Sequence, residues 1–217
     1  LGAASFTPVG VLAGTRLALG APVNARLFFA GEATDEDAPG TVRGAISSGT
    51  RAAEELLVPA TSGERVAVVG AGLAGATAAA VLAEGGREVT AFEARDRVGG
   101  RMHSRVDDSW PLPVQLGAWR FGTDDAEVLD LMSSGDVGVV ELAGQLWHGP
   151  EGDLDPIDPQ PFDAAMTAAQ AAPEDSSVTD ALTAAGIDPS DPATAALLAI
   201  LAARTGAGAD ELSSWFA

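Results

Sequence analysis

Gly70-Ala71-Gly72-Leu73-Ala74-Gly75, followed about twenty positions later by the acidic Glu93, has the residue types and spacing that bind a dinucleotide. Gly70 permits a tight turn. Gly72 lets the backbone approach a pyrophosphate, and Gly75 lets a helix lie close on a strand. A helix opening at Leu73 and Ala74 offers unpaired N–H groups to the same anion. The carboxylate of Glu93 is placed to accept hydrogen bonds from the adenosine ribose hydroxyls. The spacing does not itself choose between a flavin and a nicotinamide dinucleotide. In a chain of 217 residues with 26 glycines, a plain glycine-rich turn is the competing reading.

The flanking segments supply the elements that such a site requires. Arg65–Val69 (RVAVV) reads as a buried strand directly before the glycines, Leu73–Glu84 as a helix and Glu88–Glu93 as the next strand. Upstream, Arg26–Ala30 (RLFFA) reads as a strand. Thr41–Leu57 has helical spacing at Val42, Ala45, Ile46, Ala52, Ala53 and Leu56. The strand-helix-strand-helix-strand order predicts an α/β fold with a parallel sheet and right-handed crossovers. Val58–Glu64, with Pro59, Thr61, Ser62 and Gly63, has a linker composition. Beyond about Trp119 the chain becomes alanine-rich helices. Ser177 is placed to cap one, and Asp191 with Pro192 at the first helical position is placed to cap another. Val137–Leu142 reads as a strand and Gly152–Pro161 as an acidic loop. From composition alone this half is a solvated helical bundle with no chemistry of its own.

Composition sets the outer limits. Hydrophobic residues form 47% of the chain despite a net charge of −19, a balance that disorder does not have. That acidity repels phosphate backbones and anionic membranes, so neither nucleic acid nor a membrane is an expected partner. Lysine is absent, which fits a GC-rich genome or adaptation to salt equally well. With no cysteine, disulfides, thiolate chemistry and a cysteinyl cofactor link are excluded within the chain. The longest strongly apolar helical run, Ala195–Ala203, falls short of the roughly 20 residues of a membrane span. No signal peptide is visible and the cytoplasm is the expected location, although a start at Leu1 suggests a fragment or processed product. His103 and His148 fall in no triad or metal spacing, and no metal site is expected. No oligomeric state follows from the sequence.

Glu93-Ala94-Arg95-Asp96-Arg97-Val98-Gly99-Gly100-Arg101 resembles the E-A-R-x-R-x-G-G-R segment of flavin amine oxidases, the family of monoamine, polyamine and L-amino acid oxidases. The resemblance implies FAD as the cofactor. Gly99 and Gly100 let the chain pass close to it, and Arg95 and Arg101 can neutralise or orient its diphosphate. Leu27-Phe28-Phe29-Ala30-Gly31-Glu32-Ala33-Thr34 and then Gly40–Gly49 resemble the family's C-terminal flavin motif. Gly2–Gly10 is similar to the G-S-Y-S-x-x-P-x-G stretch before it. This second resemblance implies that Gly31 and Glu32 lie at the ribityl or ribose region. It also implies that the helix beginning at Thr41, with Val42 and Ala45, turns its N-terminus to the flavin N1–C2=O edge, where negative charge grows on reduction.

In the family the second motif closes the chain; here it comes first. A junction between two fused oxidase units competes with a permuted cofactor domain that folds in cis. A helix over Val42–Leu57 would run about 24 Å, and Val58–Glu64 could bridge up to about 23 Å. The in-cis arrangement is therefore reachable, and it is the favoured expectation.

Leu116-Gly117-Ala118-Trp119-Arg120-Phe121-Gly122 resembles the family's loop at the flavin, which implies cofactor contact for Gly117, Ala118 and Trp119. Arg120 stands where L-amino acid oxidases hold the substrate carboxylate, which implies an amino acid substrate. Trp119 and Gly122 depart from that family branch's L-G-x-M-R-x-P pattern, monoamine and polyamine oxidases have an aromatic residue at the place of Arg120, and an ion pair to an acidic neighbour is the competing role for Arg120. Ala4 and Thr41 supply no aromatic ring, so an aromatic substrate cage is not expected. The family's flavin-proximal lysine belongs to a middle segment without a counterpart here, and no catalytic residue is assigned.

The expectations are these. An α/β Rossmann-like FAD-binding domain comprises 1–57 (C-terminal-type segment), a linker at 58–64 and 65–118 (N-terminal-type segment), with a partial helical substrate domain at 119–217. FAD is held noncovalently. The implied reaction is oxidation of the C–N bond of a small amine or L-amino acid to an imine, with molecular oxygen as electron acceptor. A nonenzymatic FAD-binding remnant is the competing reading.

Overall fold

The computed structural model describes residues 4–58, 63–122, 125–135, 137–141, 147–149 and 152–216. They divide into two compact units, 14–138 and 4–13 with 139–217.

The first unit begins with α1 (Thr15–Gly20), a 3-10 turn at Glu32–Thr34 and α2 (Val42–Leu57). Then come β1 (Arg65–Val69), α3 (Leu73–Glu84), β2 (Glu88–Phe92), the two-residue strands β3 (Ser104–Arg105) and β4 (Val114–Gln115), and α4 (Ala126–Ser134). Thr41 starts α2 from extended backbone, its Oγ1 accepting the Gly44 N–H at 3.0 Å. β1 and β2 pair in parallel with Val66 opposite Val89 and Val69 opposite Phe92, the arrangement a β-α-β crossover produces. Buried Ala53, Ala78 and Leu82 join α2 to α3, and Val66, Val68 and Val89 of the sheet pack against them. Small residues set the closeness of the two helices. A Cβ on Gly49 of α2 would collide with the Ala74 carbonyl oxygen and press on Thr77 of α3.

Two strand readings need correction. β1 forms, but it is not buried on both faces: Arg65, Ala67 and Val69 are exposed with their partners Glu88, Thr90 and Phe92, Val69 at 87% and Phe92 at 56%. α3 covers only the face carrying Val66, Val68 and Val89, and no described residue layers the other. Arg26–Ala30 is not a strand. Asn24 and Ala25 take positive φ (52° and 49°), and Val23 and Leu27 close a tight turn on each other. The Phe29 carbonyl goes to Arg51 of α2 instead of a ladder.

In the second unit, β5 (Trp147–Gly149) pairs antiparallel with β6 (Gly152–Leu154), followed by α5 (Gln160–Gln170), α6 (Val178–Ala184) and α7 (Pro192–Thr205). Val178, Leu182, Met166 and Leu212 are its buried centre, with Phe162, Ile187, Leu198 and Leu201 against them. Ser177 Oγ accepts the Asp180 N–H, and Asp191 accepts from Ala193 and Thr194 with Pro192 at the first position, as the sequence suggests. The expected acidic loop Gly152–Pro161 instead contains β6 and the start of α5. Pro161 misleads because the first helical turn leaves its N–H groups unpaired anyway. Val137–Glu141 has no regular structure, and Leu142 lies outside the described residues.

The units divide the chain differently from the expected segments. Residues 4–13 pack with the second unit: Pro8 bridges Leu212, the Ser213 N–H donates to the Thr7 carbonyl, and Asp175 accepts from the Gly10 N–H. α4, expected in the helical half, belongs to the first. The linker falls partly outside the described residues, at 59–62.

Candidate cofactor-binding site

The glycine turn is built from β1 outward. Gly70 leaves the strand at φ 104°, its N–H donating to the Phe92 carbonyl at 2.7 Å. A Cβ on Gly75 would collide with the Gly70 carbonyl oxygen, which fixes why the third glycine is needed. Gly72 is the N-cap of α3 and brings no side-chain cap, so the helix opening at Leu73, Ala74 and Gly75 keeps donors for an external anion. A Cβ there would meet nothing closer than the Gly100 Cα at 4.0 Å, leaving room in front of the backbone.

The second loop lies against the first. The Gly99 N–H donates to the Ala71 carbonyl at 2.8 Å, and Gly99 and Gly100 take φ 92° and 59°. Glu93 immediately follows β2, and its carboxylate joins the loops, Oε2 accepting from Ala71 N–H at 2.8 Å and Oε1 from Arg95 N–H at 3.0 Å. The backbone N–H groups of Arg95 and then Ala71 hold its pKa below the ordinary 4.5. Each carboxylate oxygen has a second lone-pair direction, so this loop contact and ribose binding are compatible. Ala94 and Arg95 are exposed. Glu93, Arg95, Arg97, Val98, Met102 and His103 line an open cleft of about 750 Å³.

Glu32 connects the two motif stretches. It is 5% exposed and accepts from the Gly40 N–H at 2.7 Å and from Arg101 Nη1 at 2.5 Å. Arg101, expected at the diphosphate, is thus already held from one side by a carboxylate of the other stretch. Neighbouring Gly31 takes φ 151°, and its N–H donates to Ser48 Oγ of α2 at 3.0 Å. The Thr41 hydroxyl occupies one first-turn donor of α2, that of Gly44, near Val42 and Ala45. The Ala118 N–H donates to the Arg101 carbonyl and the Leu116 N–H to that of His103. A Cβ on Gly117 would strike the Arg101 carbonyl oxygen, so this loop is held close beside the GGR segment. Arg120 is exposed and stacks over the Trp119 ring at 5.3 Å. Among the described residues it forms no ion pair with an acidic side chain.

Three contributors escaped the sequence reading. Ser48 and Arg51 act across 17 or more positions, where no local pattern signals a partner. Arg97, whose Nη1 donates to the Val98 and Gly100 carbonyls, carried a local signal in its position three residues before a glycine. Among the described residues no group of acidic or histidine side chains could hold a metal ion, and no helix is long and apolar enough to cross a membrane.

A parallel β-α-β unit with a glycine turn and an acid after its second strand defines the Rossmann-like dinucleotide-binding class. Residues 68–134 match the family model described as an NAD(P)-binding Rossmann-like domain, and residues 1–57 match that of flavin containing amine oxidoreductase. The chain is 45% identical over 65 residues to probable polyamine oxidase 4 of Arabidopsis thaliana, covering 30% of this chain and 13% of that protein. It is 36% identical over 91 residues to an L-amino-acid oxidase of Crotalus adamanteus (42% and 17%). With tryptophan 2-monooxygenase of Pantoea agglomerans pv. gypsophilae it shares 48% identity over 61 residues (26% and 11%). No solved structure matches. The two motif stretches are thus similar to flavin amine oxidases, and the chain spans between 11% and 17% of the length of these three relatives.

Proposed function

We propose that 14–138 is a permuted FAD-binding unit assembled in cis, and that the protein to which it belongs oxidises the C–N bond of an amine or L-amino acid. The observation that carries this reading is the buried Glu32 carboxylate of the first motif stretch bonded to Arg101 of the second. The residues fit the cofactor: an uncapped helix start, open space before Gly72 and the adjoining cleft suit a dinucleotide diphosphate. When bound, the flavin would accept a hydride equivalent from the amine carbon, giving an imine that hydrolyses, with oxygen as the final acceptor. The chain's own residues bind and orient. The α3 N-terminus and Arg95 would hold the diphosphate, Glu93 the adenosine ribose, and Glu32 and Gly31 the middle of the cofactor. Gly117, Ala118 and Trp119 would flank the ring system, and the first turn of α2 would face its N1–C2=O edge.

Arg120, stacked on Trp119 with no acidic partner among the described residues, would take a substrate carboxylate, which favours an amino acid over an amine. The test of the cofactor reading is titration of the purified chain with FAD, followed by flavin absorbance of the protein fraction. Binding near one flavin per chain, released completely by acid, is expected. A protein fraction without flavin bands would refute it, and flavin retained on acid-precipitated protein would refute noncovalent attachment.

A further inference from the structure

Arg97 is half-buried beside the cleft, yet its guanidinium turns onto its own loop: Nη1 donates to the Gly100 carbonyl at 2.9 Å and to the Val98 carbonyl at 3.2 Å. These two carbonyls flank the Gly99–Gly100 turn, whose left-handed φ values leave many alternative conformations open to an unrestrained glycine pair. Val98 is 72% exposed, so apolar packing of that side chain does not hold the turn. A trans peptide unit is planar, with C=O and N–H pointing in opposite directions. Fixing the Val98 carbonyl therefore fixes the direction of the Gly99 N–H, which donates to the Ala71 carbonyl in the other loop. Fixing the Gly100 carbonyl orients the Gly100–Arg101 plane, so the two fixed planes bracket the turn at which Gly100 comes up to Gly72.

We propose that Arg97 is a positioning residue that pre-forms the two-loop cradle, its planar Nη1 amino group holding the turn in the register at which Gly99 and Gly100 meet Ala71 and Gly72. The positively charged Arg95 is left to meet the ligand, and Arg97 acts on the backbone. Lysine is not equivalent here, because the two N–H bonds of Arg97 Nη1 are fixed in the guanidinium plane, whereas an ammonium rotates freely at the end of a flexible stem. The consequence for affinity rests on the FAD reading above; the consequence for the empty protein does not.

The test compares wild type, Arg97→Ala and Arg97→Lys in two measurements. The first is amide hydrogen exchange of Gly99 and Ala71 without ligand, with Val66 and Val89 of the sheet as internal controls. The second is the FAD dissociation constant. Expected for Arg97→Ala is exchange at Gly99 faster by about tenfold with the sheet amides unchanged, and FAD affinity lower by about tenfold. Arg97→Lys should fall between. Unchanged Gly99 exchange in Arg97→Ala overturns the proposal, and if FAD affinity nevertheless drops, Arg97 contacts the ligand directly. Faster Gly99 exchange in a chain whose wild type binds no FAD upholds the bracing of the turn and refutes the cofactor reading. Sheet amides that accelerate as much as Gly99 also overturn the proposal, since the loss is then one of global stability.

Discussion

The Glu32–Arg101 pair offers a direct measure of whether the two motif stretches form one unit, by a double-mutant cycle of Glu32→Gln and Arg101→Met. The Glu32 side chain is only 6% exposed, but that of Arg101 is 46% exposed, so solvent screens the pair and its share is about 1 kcal/mol. The other bond of the carboxylate, from the Gly40 N–H, survives partly in Glu32→Gln, because an amide oxygen still accepts. Glu32→Ala removes both of these bonds and leaves the half-buried Gly40 N–H without this acceptor, for a loss of about 1–3 kcal/mol. Urea unfolding of the four variants at low salt should give Glu32→Gln and Arg101→Met each about 1–2 kcal/mol less stable, with a coupling energy of about 1 kcal/mol. Added salt should reduce that coupling. A coupling below about 0.3 kcal/mol would refute the reasoning. The two stretches would then not meet within one chain, and a junction between separate oxidase units would replace in-cis assembly.

Gly49→Val should destabilise the chain by about 1–3 kcal/mol, since the new side chain must push α2 off the Ala74 carbonyl and Thr77. Glu54→Val, on the exposed side of the same helix, should stay within about 0.5 kcal/mol, and equal midpoints for the two in urea would contradict the close helix contact. The Glu93 pKa is lowered on folding, so its contribution is fully present above the unfolded value of about 4.5 and is lost as pH falls through the lower folded value. The gap in melting temperature between wild type and Glu93→Gln should therefore be constant at neutral pH and narrow below 4.5; a gap that widens on acidification would show that the sign is wrong. On the proposed amino acid oxidation by the longer protein, Arg120→Met should narrow the preference for an L-amino acid over its decarboxylated amine, by about 2–5 kcal/mol if the charge pair is desolvated. Unchanged kcat/KM ratios would return Arg120 to a role confined to its stack on Trp119.

What could be read from the sequence was what is specified locally. The start of α2 at Thr41, the glycine turn before α3 and the caps at Ser177 and Asp191 depend on residues within four positions of one another, and all form where the spacing places them. The failures are non-local. RLFFA has the composition of a strand, but a strand exists only with a ladder partner, and the Val23–Leu27 turn and Arg51 take up the backbone groups a ladder would use. β1 reads as fully buried because its Val-rich run suits a sheet covered on both faces, whereas α3 covers one. For the site, residue types located Glu93 and Arg101 but not their present partners. That Glu93 binds the Ala71 N–H, and that Arg101 lies on Glu32, depends on contacts across 22 and 69 positions.

The uncovered side of β1 and β2 has a consequence for handling. Val69 and Phe92 sit side by side on it, flanked by Ala67 and Thr90, at the surface of a chain with a net charge of −19. Mutual repulsion between chains keeps such surfaces apart in dilute buffer, while an ionic strength of about 0.15 M shortens the reach of that repulsion to roughly 8 Å. Colloidal behaviour is therefore set by a contest between charge and an oily sheet face. Any salt weakens the first, and sulfate or phosphate salts also strengthen burial of the second, so low-salt buffer is the condition in which isolated chains stay dispersed.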